Sequence, residues 1–326
     1  MILPYYAKKF SKQLAELKLA LSKKKSSVNH STIQHFSKIW LNNYIQNVRV
    51  CSEREDIYSL SDKTVDWKNV SLVFTGASPI LEEEIEYLLL HRHKFFILSS
   101  DTSSYFLYKK GLKPNAILSI DSGRGTAFHF REDLPIDIPI ITWLGGNKEI
   151  FQRKNRIYLI YTTYPLDQIM VDRHKDLFLL NNPGLNISSM ALAIAEKMNV
   201  LDFTNAGISF TSYRGKTHCR GTGYEYFKLI DIRRTYTMEM YSPGNYKTGI
   251  SKKNNLALDF LFKSRFGSKK LLDLQPSLIH DFQFQKRNKF KIDSNSILNI
   301  LNSENLLGLV SQELALPSRL IQKYLK

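Results

Sequence analysis

The chain has 326 residues, 43% of them hydrophobic and 12% aromatic, and a formal charge of +16. That is ample apolar material for a core, and it excludes a disordered, collagen-like or small disulfide-scaffold protein. No apolar run approaches the roughly 20 residues of a bilayer span, and the first ten residues carry tyrosines and lysines where a secretory leader is apolar, so a cytoplasmic protein is expected.

In chain order, Leu14, Leu17 and Leu21 predict a first helix over 11–21, and Phe36, Ile39, Trp40, Tyr44 and Ile45 predict a second over 33–48. From Val70 the rhythm changes to short apolar runs separated by turns and helical stretches. Strands are predicted at Ser71–Phe74, Phe95–Leu98, Ala116–Ile120, Pro139–Trp143, Ile157–Tyr161, Leu177–Leu180 and Leu201–Ala206. Helices are predicted at Leu81–Arg92 and Ile187–Met198, each with an apolar stripe and each preceded by small residues. Continuous apolar strands alternating with helices define an α/β protein with a mainly parallel sheet covered on both faces. After Ser242-Pro243-Gly244-Asn245 the pattern breaks, and scattered stripes such as Ile297, Ile300, Leu301 and Leu306 predict a helical C-terminal addition.

The charge is uneven. Residues 1–50 carry nine Lys and Arg against one acid, 251–326 carry thirteen against six, and 51–250 carry twenty-four against twenty-three. The expected organisation is a basic helical segment over 1–68, an α/β domain over 69–241 and a basic, mainly helical region over 242–326. The basic flanks, including Lys23-Lys24-Lys25, Lys252-Lys253 and Lys269-Lys270, read either as solvated lysine faces or as a peripheral contact for an anionic membrane surface or polyanion. No recognition motif accompanies the charge, so sequence-specific nucleic-acid binding is not expected.

Several motifs can carry chemistry. Thr75-Gly76-Ala77-Ser78-Pro79 joins a strand to a helix, so the backbone N–H groups of Gly76, Ala77 and Ser78 could hold phosphate; Glu82-Glu83-Glu84 argue equally for a plain turn. Asp101 and Asp121 follow successive strands and could face one crevice at the carboxyl edge, holding a hydroxyl, a base or Mg²⁺, or could serve as caps. Asn182-Pro183-Gly184-Leu185-Asn186, with Ser188 and Ser189, offers either a second ligand contact or simple helix capping. Arg214-Gly215-Lys216-Thr217-His218 gathers cations, a hydroxyl and an imidazole on one loop, but Phe210 replaces the first glycine of a Walker A motif. Cys51 and Cys219 lack metal-ligand spacing and are expected as reduced thiols.

Taken in order, Leu72-Val73-Phe74-Thr75-Gly76-Ala77-Ser78-Pro79, Ser99-Ser100-Asp101-Thr102, Gly111-Leu112-Lys113-Pro114-Asn115-Ala116-Ile117-Leu118-Ser119-Ile120-Asp121, Ala206-Gly207, Gly215-Lys216-Thr217-His218 and Gly221-Thr222 resemble the archaeal 6-hydroxymethylpterin diphosphokinase (MptE-like) family, whose bacterial relatives include the motility-associated-factor glycosyltransferases. The resemblance implies a Rossmann-like domain that handles a phosphorylated donor, either ATP or a nucleotide-activated sugar such as a CMP-nonulosonate, with a flagellin-like protein or a surface glycan as acceptor. It implies substrate contacts at Gly76, Ala77, Ser78, Asp101, Thr102, Lys216 and Thr217, to which the residues opening the second stripe helix, Gly184, Asn186 and Ser188, are added on their place in the chain. Asp121 and His218 take catalytic roles, and Mg²⁺ is a possible cofactor. The chain departs from the family pattern at Ser78, where a second glycine is usual, at Ile80, where serine is usual, and at Ser209, where an acid is usual. Those departures leave open a relative that binds nucleotide without turning it over.

Overall fold

The computed structural model describes residues 35–173, 177, 179–182, 184–210, 216–225, 252–279, 281–287, 289, 295, 299, 311, 314 and 316–325. The predicted helix over 11–21, the Lys23-Lys24-Lys25 run, Pro183, Arg214, Gly215, the turn at 242–245 and the stripe from Ile297 to Leu306 lie outside the described residues.

A helix over 35–53 (α1) leads into β1 (Ile57–Ser59), after which the α/β core begins with β2 (Ser71–Thr75), α2 (Leu81–Leu90), β3 (Phe96–Ser100), α3 (Asp101–Lys109) and β4 (Ala116–Leu118). It continues through β5 (Ile140–Thr142), α4 (Lys148–Phe151), β6 (Ile157–Leu159), β7 (Tyr161–Thr162), α5 (Pro165–Arg173), β8 (Leu179–Leu180), α6 (Ile187–Lys197) and β9 (Asp202–Ala206). Two further helices, α7 (Lys252–Lys263) and α8 (Ser318–Leu325), follow.

Seven strands form one wholly parallel sheet in the order β1-β6-β5-β4-β3-β2-β9. Every strand of that sheet except β9 is buried along its whole length, which is why the strands read as unbroken apolar runs rather than alternating ones. Leu72 and Phe74 face one core with Phe96, Leu98 and the buried flank of α6, whereas Val73 and Ile97 face a second core with Leu81, Ile85 and Leu88 of α2. The sheet is thus covered on both sides, with α1 joining the α6 side through Leu41, Tyr44, Ile45 and Val48.

Three differences from the sequence reading have physical causes. The predicted strand at Leu177–Leu180 is the short β8, which pairs with β7 in a separate two-stranded sheet because β1 already occupies the free edge of β6. Residues 35–68, assigned by charge to a separate basic segment, place α1 and β1 in the same core and sheet as the rest. Residues 264–279 and 281–287 carry no α-helix; they form a strap with a turn near Arg265 and a single 3-10 turn at Leu271–Asp273. The alternation Phe282-Gln283-Phe284-Gln285 has period two, and both phenylalanines pack on Phe96 while Gln285 N–H reaches Thr64 O at 2.8 Å. One lysine of the basic runs is structural: Lys269 Nζ pairs at 2.8 Å with Asp202, whose side chain is buried. Among the described residues no helix is long and apolar enough to cross a membrane.

Candidate functional site

Because all seven strands run the same way, the loops after β2, β3, β4, β5 and β9 gather at one edge of the sheet, where ligands bind in open α/β folds. β2 lies between β3, which follows it in sequence, and β9, which returns to its other side, so the chain reverses direction across the sheet at this strand. Two joined chambers open there. The smaller, about 390 Å³, is lined by Gly76, Ala77, Ser78, Gly207, Ser209, Thr217 and His218 among others. The larger, about 700 Å³, contains Asp101, Asp121 and an aromatic wall. Thr102, Ile187 and Tyr224 line both and mark the passage between them.

The smaller chamber depends on two glycines. Gly207 has φ +64°, and a Cβ there would lie 2.6 Å from Gly76 O; a Cβ on Gly76 would overlap Ile208 at 2.1 Å. Side chains at either position would force the β2 and β9 loops apart. That close approach has a chemical consequence. Gly76 N–H donates to Ala206 O and Ser78 N–H to Gly207 O, both at 2.8 Å. The phosphate cradle expected from Gly76, Ala77 and Ser78 is therefore reduced to Ala77, since two of its three amides hold the loops together. The glutamates of α2 serve the same joint. Glu84 accepts from Gly207 N–H at 2.6 Å, and burial pushes its carboxyl up. Glu82 receives Lys216 Nζ at 2.7 Å and Arg220 N–H at 2.8 Å, and although burial opposes its charge these partners hold its carboxyl below the usual range. Cys219 N–H closes on Ala77 O at 2.8 Å, which lays Thr217 and His218 across the chamber.

Beside this joint, Asp101 is 4% exposed at the start of α3. It accepts from Ser119 Oγ at 2.6 Å, from Thr102 N–H at 2.7 Å and from Thr102 Oγ1 at 3.1 Å. Thr102 Oγ1 also meets His129 Nε2 at 3.4 Å, so one hydroxyl bridges the acid and an imidazole. Burial pushes the Asp101 carboxyl up, against the opposing pull of His129, Ser119 and Thr102, and burial pushes the His129 imidazole down, against Asp101 and Asp121. The pair is thereby biased toward its neutral forms, and it can exchange a proton through the Thr102 hydroxyl. Tyr224 stacks on His218 at 4.3 Å and tilts against His129 at 5.0 Å, which links the two imidazoles through one ring. Asp121, by contrast, is exposed and receives Gly123 N–H at 3.1 Å.

The family described as 6-hydroxymethylpterin diphosphokinase MptE-like matches residues 42–213, over half of the chain. The chain belongs to the MptE-like family. An uncharacterized protein of Treponema pallidum (strain Nichols) is 30% identical over 87 residues, which are 27% of this chain and 39% of that protein. A MAf glycosyltransferase structure from Magnetospirillum magneticum AMB-1 is similar with 15% identity and a TM-score of 0.43, over 53% of this chain and 28% of that one. The MptE-like chain thus spans well under half the length of either relative.

Of the predicted site residues, Gly76, Ala77, Ser78, Thr217 and His218 line the smaller chamber, Asp101, Asp121 and Asn186 the larger, and Thr102 both. Lys216 points instead at Glu82. Asn186 caps α6 by accepting Ser189 N–H at 2.9 Å, and Ser188 Oγ turns to Asn205 at 3.3 Å, so these polar groups finish a helix; Gly184 lies behind them, outside both walls. Two departures from the MptE-like pattern meet: Ser78 Oγ and Ser209 Oγ share a hydrogen bond of 2.5 Å. Sequence reasoning missed His129 and Tyr224, although Tyr224 lies two residues after the quoted Gly221-Thr222. It treated Phe36 and Trp40 as core stripe, whereas both line the larger chamber. Cys51 and Cys219 are buried free thiols, and burial pushes that of Cys219 up to about 12.

Proposed function

We propose that this protein is a glycosyltransferase-like enzyme that takes a nucleotide-activated sugar and passes the sugar to a hydroxyl of a protein or glycan. Membership of the MptE-like family supports nucleotide handling, and the joined chambers carry the reading: one bears the His218 imidazole, the other bears two carboxylates, and they meet at Thr102 and Tyr224. In this reading the smaller chamber holds the donor phosphate, with Ala77 N–H, Thr217 and His218 facing it. His218 neutralises the departing phosphate, a role that gains strength where water is excluded. Asp121 orients or deprotonates the acceptor hydroxyl, and Asp101 with His129 sets the Thr102 hydroxyl between the two. The test is donor turnover by His218→Ala and Asp121→Asn. Each should lose about 10² to 10³ in rate, the cost of removing one charge-stabilising contact, and unchanged rates in both would remove the assignment.

A second reading is diphosphoryl transfer from ATP to a pterin-like alcohol, as in the enzyme that names the family. Asp101 and Asp121 at neighbouring strand ends favour it, since Mg²⁺ is held by one or two carboxylates together with substrate phosphates. Against it, the described walls of both chambers contain no Lys or Arg, and Lys216 is tied to Glu82. Among the described residues no group of three or more His, Cys, Asp or Glu could hold a metal ion without help from substrate. Mg²⁺-dependent release of AMP from ATP in the presence of a hydroxymethylpterin would establish this second reading over the first.

A further inference from the structure

The larger chamber has a chemical character that phosphate binding does not use. Among its described lining residues there is no Lys, Arg or His, while two are carboxylates, Asp101 and Asp121. Its other side is a corner of aromatic rings. Trp40 meets Trp143 at 6.1 Å and Tyr164 at 5.6 Å, Trp143 meets Tyr164 at 5.5 Å, and the three are mutually edge-on with interplanar angles of 71°, 75° and 84°. Phe36 extends the corner by stacking on Trp40 at 5.7 Å. Rings locked against one another lose little freedom when a ligand lands on them. The Trp143 indole N–H is already given to Ile120 O at 2.8 Å, so this ring offers only its apolar body.

Charge decides which ligand fits. A phosphate or carboxylate placed here would face the Asp121 carboxylate with no Lys or Arg among the described lining residues to offset it. A ring with an apolar C–H face and several hydroxyls satisfies both sides: its face lies on the Trp40 indole and its hydroxyls donate to carboxylate oxygens, the stronger kind of hydrogen bond. We infer that the larger chamber is a binding subsite for an uncharged pyranose, which stacks on Trp40, itself backed by the buried rings of Trp143 and Tyr164, and donates a hydroxyl to Asp121. This rests on the glycosyl-transfer reading and narrows it. The sugar in this chamber carries no carboxylate, so a nonulosonate is excluded from it. The pyranose is either the sugar of the donor or the terminal residue of a glycan acceptor.

The experiment is a tryptophan-fluorescence titration of the full chain with methyl glucoside, methyl galactoside and N-acetylglucosamine as neutral probes, N-acetylneuraminic acid as the carboxylated probe, and uridine and cytidine as base probes. At least one neutral pyranoside should bind saturably, and Trp40→Ala should weaken it roughly tenfold or more, the usual cost of deleting an aromatic anchor. Trp40→Phe, which keeps a ring in the corner, should stay within about threefold and melt with the parent protein, separating stacking from misfolding. N-acetylneuraminic acid should bind at least roughly tenfold more weakly than the best neutral probe and recover in Asp121→Asn. Saturation by N-acetylneuraminic acid at the concentration of the best pyranoside, Trp40-dependent binding of uridine or cytidine alone, or no pyranoside binding at all would each overturn the subsite. UDP-glucose binding more tightly than UDP in a Trp40-dependent way assigns the ring to the donor, and pyranoside binding that is indifferent to saturating UDP assigns it to the acceptor. Nucleotide binding that His218→Ala leaves untouched, alongside intact pyranoside binding, would sink the transfer reading while the subsite stands.

Discussion

Asp167 makes the fold sensitive to pH in a direction that can be worked out. It sits on α5 fully buried, with Oδ2 accepting Thr162 N–H at 2.7 Å and Thr162 Oγ1 at 2.9 Å. Its Oδ1 and the hydroxyl of Tyr164 are buried without hydrogen-bond partners, and the buried Tyr44 hydroxyl lies beside the carboxyl. Burial pushes its carboxyl from 3.8 up to about 7, despite the bonds from Thr162 and the lowering pull of the adjacent Tyr44 hydroxyl. The neighbouring phenols of Tyr44, Tyr161 and Tyr164 are themselves pushed up by burial and stay neutral in this range. Between those two values the folded chain holds one more proton than the unfolded chain, so stability falls as pH rises from about 4 to about 7 and is restored on acidification. The displacement of about three pH units amounts to about 4 kcal/mol. Asp167→Asn keeps an oxygen for Thr162 and supplies an N–H₂ for the neighbouring tyrosine hydroxyls, and it cannot ionise. Urea unfolding of both proteins should therefore show the variant gaining on the parent by about 3 kcal/mol between about pH 5 and about pH 8. Parallel stability profiles across that interval would refute the buried, ionisable state described for Asp167.

Three further outcomes follow from the joints around the site. Asn47 is fully buried on α1 and donates to Leu144 O at 2.8 Å and Gly146 O at 3.1 Å, so Asn47→Leu should cost about 2 kcal/mol, read as a lowered urea midpoint at unchanged slope. Gly207→Ala puts a Cβ against Gly76 O in a left-handed backbone and should destabilise by about 2 kcal/mol or more, with the smaller chamber's ligand binding lost before the melting transition is. Glu82→Gln removes the charge that holds Lys216; because both side chains are about a quarter exposed the stability loss should be only about 1 kcal/mol, but amide exchange at Arg220 should accelerate.

The strands and the two stripe helices were legible in the sequence because each has enough consecutive apolar residues to show its period. Val73 and Phe74 point into different cores, yet both are buried, and a run such as Leu72-Val73-Phe74 reads as sheet whichever face each residue takes. β1 escaped notice because it has three residues, follows the polar stretch Arg54-Glu55-Asp56, and is a strand only by virtue of β6, a hundred residues later. The site divides in the same way. Asp101 and Asp121 could be placed at the sheet's carboxyl edge from strand ends alone, and both line the chamber there. His129 could not, since it stands on a 3-10 turn with no periodic signal and gains its significance from Thr102, which is distant in sequence. The capture of Lys216 by Glu82 was equally invisible: the acids of α2 read as dipole partners, and only the return of β9 beside β2 brings the late loop over them.

The aromatic corner is assembled from two sources, and this has an evolutionary consequence. Phe36 and Trp40 belong to α1 upstream of the MptE-like match at 42–213, whereas Trp143 and Tyr164 lie within it. Below them, Asn43 and Asn47 pin the same helix to the loops after β4 and β5. A lineage could therefore exchange the ten or so residues at the head of α1 and alter which ring is welcomed, while the anchoring asparagines and the phosphate end stayed as they are. Under the transfer reading proposed above, part of the ring-selecting surface would then sit on a stretch of chain apart from His218 and Asp121.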